Sequence, residues 1–231
     1  MAWWSRRSAG DVVVFRREGG TAPPDHEVLR VTGDGRFTLW RSIGRSTRPP
    51  TPIGRFAGTV PAARWASLAA ALDACRGAEA IELELPADAA REKVVLGRRT
   101  STWADDATPP PPFAALAVEA RRLLGELTAM PQAALAVPGV SSPELRHLGT
   151  EPLELDLSGA AVRVVHWEED RVVGDWRAPL DGPRSVTAIP GWVFPLPFDH
   201  PFAAEARLTV EVGDVLVFDG EFWRTGALTS D

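Results

Sequence analysis

Apolar and polar residues alternate through Glu27-Val28-Leu29-Arg30-Val31 and again through Arg36-Phe37-Thr38-Leu39-Trp40. A period of two marks strands with one buried face. The loop between them follows from that face. A two-residue turn at Asp34-Gly35 sets Val31 against Thr38 and mixes the faces, whereas a three-residue loop, Gly33-Asp34-Gly35, sets Val31 against Phe37 and Leu29 against Leu39. Gly35 then takes a left-handed conformation, which glycine adopts without a Cβ clash. Downstream the period lengthens. Trp65, Leu68, Leu72 and Cys75, with Ala69 beside them, lie on one helical stripe. Pro61 suits the first turn and Gly77 the position past the end. A helix this short and alanine-rich needs a sheet to lie on.

The same patterning, read along the chain, predicts a strand at Asp11–Arg17, a polar proline-rich loop at Arg45–Pro52 with Phe56 re-entering the core, and strands at Ala80–Leu85 and Lys93–Trp103. A second helix begins near Pro112, its stripe formed by Phe113, Leu116, Ala120, Leu123, Leu127 and Met130, and Pro131 stops it. The expected first domain, residues 1–131, is therefore α+β: an antiparallel sheet with two helices in the order βββαββα. Residues 132–152 read as a linker, with a short helical turn at Pro143–His147. From Leu153 strand-like runs dominate to the end, so residues 153–231 read as a β-rich domain, a small barrel or sandwich. In it, Val212-Gly213-Asp214-Val215 predicts a two-residue turn pairing Val212 with Val215 and Val210 with Val217, and Asp219-Gly220 starts a further strand.

Composition narrows the function classes. Net charge is −6 with no basic block and a single lysine, Lys93, which argues against a nucleic-acid partner. No apolar run approaches the ~20 residues of a membrane-spanning helix, and Met1–Arg7 lacks the apolar stretch of a signal peptide. The expectation is a cytoplasmic protein with no membrane partner. The one cysteine, Cys75, falls on the apolar helix stripe and reads as a buried, inert thiol.

Candidate chemistry is sparse. His166-Trp167-Glu168-Glu169-Asp170 is the one cluster of histidine with acids, and it reads as a strand ending in a solvated turn. Asp199-His200 reads as loop polarity, Asp105-Asp106 as a loop without a partner, and His26 and His147 as isolated. No nucleophile elbow, phosphate loop or dinucleotide fingerprint is present. The segment Pro190–Pro201 carries four prolines around Trp192, Phe194 and Phe198, and cannot be a central strand. Its rings either plug one end of the β domain, the favoured reading, or present an aromatic interface. Trp3 and Trp4 pose the same alternative at the start of the chain.

Phe15-Arg16-Arg17-Glu18-Gly19-Gly20, Gly33-Asp34-Gly35, Gly58-Thr59-Val60-Pro61 and the helix at Phe113 together form a pattern covering residues 11–130, about half the chain. In that pattern the first half resembles the emfourin-like proteins, small bacterial domains that include inhibitors of thermolysin-type metalloproteases. The resemblance implies an antiparallel sheet with two helices and a binding role without a cofactor. Inhibitory contacts in such proteins come from loops, and no residue here matches a contact motif. The expected function is a non-catalytic protein-binding module, an inhibitor or an assembly component, with Trp192, Phe194, Phe198, Trp3 and Trp4 as candidate partner-binding residues and a protein as partner. The alternative is a metal-assisted hydrolase using His166, Glu168 and His200 in the β domain.

Overall fold

The predicted hairpin is present. Strands β2 (His26–Thr32) and β3 (Arg36–Ser42) flank a turn closed by the Gly35 N–H on the Thr32 carbonyl at 2.9 Å, and Gly35 has φ 79°. The structure, a computed structural model, describes residues 11–19, 26–42, 53–86, 89–105, 107–129, 133–137, 144–168, 171–182, 185–197, 199–202, 207–212 and 216–221. The chain divides into two units. One comprises Met1–Thr21, His26–Trp40 and Phe56–Gln132, the other Ala22–Asp25, Arg41–Arg55 and Ala133–Asp231.

In the first unit β1 (Asp11–Glu18) pairs antiparallel with β2 and with β5 (Arg91–Leu96), setting Phe15 opposite both Leu29 and Val94. That register puts Val13, Phe15, Leu29, Val31 and Val94 on one face, and all are buried. With β4 (Ile53–Thr59) and β6 (Arg99–Ala104) the strand order is β4-β3-β2-β1-β5-β6. Helices α1 (Ala62–Ala74) and α2 (Phe113–Ala129) lie on the buried face. Trp65 of α1 sits over Gly35, Phe113 of α2 meets Trp103 at 5.8 Å between ring centroids, and Arg121 meets Glu92. Of the predicted stripes, Leu68 and Cys75 are buried and Trp65, Ala69 and Leu72 half-buried on α1, and Phe113, Leu116, Ala120, Leu123 and Leu127 are buried on α2. Ala71, Ala117 and Leu124, outside those stripes, are buried as well. Cys75 places its Sγ 3.6 Å from the Pro112 carbonyl, and burial pushes its thiol up from the usual range. Met130 lies outside the described residues.

The α+β class stands, while the order βββαββα does not. A fourth strand, β4, precedes α1. The segment read as one strand from Lys93 to Trp103 is the hairpin β5–β6, reversed at Gly97 with φ 63°. Ala80–Leu85 is no named strand. It touches β6 through a single parallel bridge, Glu82 to Thr102, supported by the Thr102 N–H on the Ile81 carbonyl at 2.7 Å. Its alternating side chains gain little burial, for Leu83 is exposed.

In the second unit the stretch read as a linker carries two strands, β7 (Ala133–Val137) and β8 (Glu144–His147), where a helical turn was expected at Pro143–His147. Leu135 and Leu145 give these strands a reason to pair, since both are buried. Then follow β9 (Leu153–Asp156), β10 (Ala161–Glu168), β11 (Arg171–Pro179), β12 (Ser185–Ala188), β13 (Val193–Pro195), β14 (Arg207–Val212) and β15 (Leu216–Glu221). They form the order β13-β8-β7, the four-stranded sheet β11-β10-β14-β15 and the pair β12-β9. No closed barrel is formed among the described residues. The β14–β15 register pairs Val210 with Phe218 and Val212 with Leu216, so the loop holds three residues where two were expected. β15 also runs straight through Asp219-Gly220, where a new strand was expected to begin.

Candidate functional site

The core of the second unit gathers Leu135, Leu145, Val162, Val164, Leu180 and Leu196. Trp192 and Phe194, both partly buried, pack against it, their rings stacked with centroids 5.7 Å apart. The backbone explains their direction. β13 pairs antiparallel with β8, so Phe194 stands opposite the buried Leu145 while Val193 and Pro195 fall on the other side, opposite Arg146 and Glu144. β13 ends its sheet, the position where a proline costs no ladder bond.

The chain enters β13 through a tight turn. The Trp192 N–H donates to the Ile189 carbonyl at 2.9 Å, Pro190 is the second residue, and Gly191 has φ 83°. This is a type II turn, with proline and glycine at the two positions that favour them. The main chain of His147 clamps it: its N–H donates to the Trp192 carbonyl at 2.9 Å and its carbonyl accepts from Gly191 at 3.1 Å. The His147 side chain is itself fixed, with Nδ1 2.7 Å from the Ala134 carbonyl and Nε2 2.6 Å from the Glu151 carbonyl. The rings turn inward, and the small apolar side chains are left outside. Ile189 is 61% exposed and Val193 42%. The apolar feature offered to solvent is thus a rigid turn carrying isoleucine, next to residues the sequence singled out. Its signal was the Pro190-Gly191 dipeptide. Phe198, Trp3 and Trp4 lie outside the described residues.

The residues of the hydrolase alternative do not converge. His166 and His200 bracket the ring of Phe202, with centroids 5.3 and 5.6 Å away, and His200 also meets Trp176 edge-on. His200 is fully buried, Asp199 exposed, and Glu168 exposed at the end of β10. Among the described residues no group of three or more His, Cys, Asp or Glu stands close enough to hold a metal ion. Nor does any described helix have the length and apolarity to cross a membrane.

The first unit holds a charge network that the sequence did not announce. Glu92 on β5 is fully buried and accepts three hydrogen bonds: Trp103 Nε1 at 2.8 Å, Arg121 Nε at 2.7 Å and Arg121 Nη2 at 2.8 Å. The same Arg121 nitrogen reaches the Asp105 carbonyl at 3.1 Å, and Arg17 grips the Asp105 carboxylate through two bonds of 3.0 and 2.8 Å. Asp105, expected to have no partner, therefore has one. Burial opposes its ionisation, but the Arg17 hydrogen bonds and charge, with the Arg121 charge nearby, together hold its carboxyl below the usual range. Trp103 Nε1 and the Nε and Nη2 groups of Arg121 and Arg17 all donate to acceptors within the fold, so the network ties β5, β6 and α2 together. No protein-family model, no curated protein and no solved structure matches this chain.

Proposed function

We propose that the protein is a non-catalytic protein-binding module, an inhibitor or an assembly component, and that the turn at Ile189–Trp192 is its contact point. One observation carries the reading: Ile189 is 61% exposed on a turn locked by three backbone hydrogen bonds. An apolar side chain held rigidly in water supports a binding role, because little conformational entropy remains to be lost when a partner covers it. Val193 and Pro195 extend the apolar strip along β13, and the Glu144–Arg146 ion pair at 2.9 Å borders it. That arrangement matches an apolar anchor with a polar rim. The partner is a protein with a socket for a branched aliphatic side chain.

The test is a photo-crosslinking residue placed at Ile189 and, as a control, at the exposed Ala66 on α1, in cells that naturally make the chain. A discrete adduct from position 189 alone, competed away by excess unlabelled wild-type chain but not by unlabelled Ile189→Asp chain of unchanged thermal stability, is the expected result. Equal labelling from both positions, or none from position 189, rejects the reading.

A further inference from the structure

The strand β11 ends the four-stranded sheet, and among the described residues no strand pairs with its outer edge. Which groups face that edge follows from the ladder. The Leu180 N–H donates inward to the Ala160 carbonyl, and β11 runs in regular register with β10 from Gly174 opposite His166 to Pro179 opposite Ala161. Backbone groups alternate sides along an antiparallel strand. The even-numbered residues therefore bond to β10, and Asp175 and Arg177 turn their N–H and C=O groups outward. Pro179, also outward, has no donor to offer. A bulge opposite His166/Trp167 interrupts the other end. Both devices blunt an edge, and they leave one short open segment between them.

We propose that this segment pairs antiparallel with the same segment of a second copy of the chain, about a two-fold axis beside Trp176. The register is argued from charge. With Trp176 opposite its own copy, Asp175 faces the copy's Arg177 and Arg177 faces the copy's Asp175, so the pair carries two opposite-charge contacts. These are the residues whose outward backbone groups exchange hydrogen bonds. Gly174 meets Ala178 without crowding. The neighbouring registers fail: an axis at Asp175 sets carboxylate on carboxylate, an axis at Arg177 sets guanidinium on guanidinium, and an axis at Gly174 sets Arg171 against Arg177. Like charges directly opposite destabilise a strand pair. The needed side chains are accessible, with Arg177 64% and Asp175 42% exposed. Arg163 already holds Asp175 in place through bonds of 3.0 and 2.9 Å, which reduces the ordering cost of a second partner. Such a contact is isologous and closes on itself.

The test is sedimentation equilibrium of the full chain over a wide concentration range, with R177E, D175R and their equimolar mixture. The expected result is a wild-type dimer weakened by salt, each variant weakened roughly tenfold or more because like charges face each other, and a dimer restored in the mixture, where both contacts become opposite-charge again. Thermal unfolding checks that each variant folds. Should D175R lose its fold along with its Arg163 contact, R177E decides alone, since Arg177 is a surface residue. A wild-type chain monomeric at every concentration, or R177E dimerising as tightly as wild type, overturns the proposal.

Discussion

Two glycines show how much of the second unit depends on single atoms. A Cβ at Gly174 would overlap the Phe202 ring, and one at Gly182 would stand 2.7 Å from the Phe194 ring. Neither ring can swing aside freely, since Phe202 is bracketed by His166 and His200 and Phe194 is stacked on Trp192. Gly174→Ala and Gly182→Ala should each destabilise by about 1–3 kcal/mol through overpacking. Gly125, on the exposed side of α2, has nothing within 4 Å of the added carbon, and Gly125→Ala should stabilise by about 0.5–1 kcal/mol through helix propensity. Chemical denaturation of the three variants reads both signs; the same sign in all of them would contradict this packing. None of these contacts was legible in the sequence, where a glycine beneath a ring looks like a glycine in a turn.

At the scale of elements, legibility followed the regularity of the apolar pattern. β1, β2 and β3 carry Val13, Phe15, Leu29, Val31, Phe37 and Leu39 on one face, and that alternation was readable; that Val14, Val28, Arg30 and Trp40 on the opposite face are buried too was not. The helices bury a stripe, and the stripe was readable too. β15 was misregistered because Val215-Leu216-Val217-Phe218 is apolar at every position, so two-residue and three-residue loops both bring apolar residues together. β5 and β6 were fused because β-branched residues continue on both sides of Gly97. The Glu92 network was hidden because its donors come from other elements, Trp103 on β6 and Arg121 on α2. Arg121 is what neutralises the buried Glu92 carboxylate. Arg121→Ala should cost on the order of 3 kcal/mol, the lower end for a broken buried pair because Arg121 itself is partly exposed. Arg121→Ala combined with Glu92→Gln should recover part of that loss. Urea unfolding of the single and double variants would measure the recovery, and none would mean that charge burial is not the cause.

For the molecule as a whole, the carboxylates set the response to acid. Glu126 is held below its usual range by hydrogen bonds from Arg64, Asp175 by those from Arg163, and Asp105 by those from Arg17 against the effect of burial. A carboxyl whose folded value lies below its unfolded one contributes stability above the unfolded value, about 4 for Asp and Glu, and loses it as pH falls through the folded one. Stability should therefore be steady near neutrality and fall below about pH 4. Asp105→Asn should flatten that fall more than Glu126→Gln, because Asp105 is the more buried. Thermal midpoints measured down the acid range test this, and an unchanged slope in Asp105→Asn would count against it. The division into two units has its own consequence. The second unit draws on Arg41–Arg55 as well as Ala133–Asp231, while most of the first is made in between. A ribosome must release its early piece long before the rest exists. The first unit can close around finished neighbours, as domains made early tend to do, but the second has an early piece, Arg41–Arg55, that is made before any of Ala133–Asp231 exists.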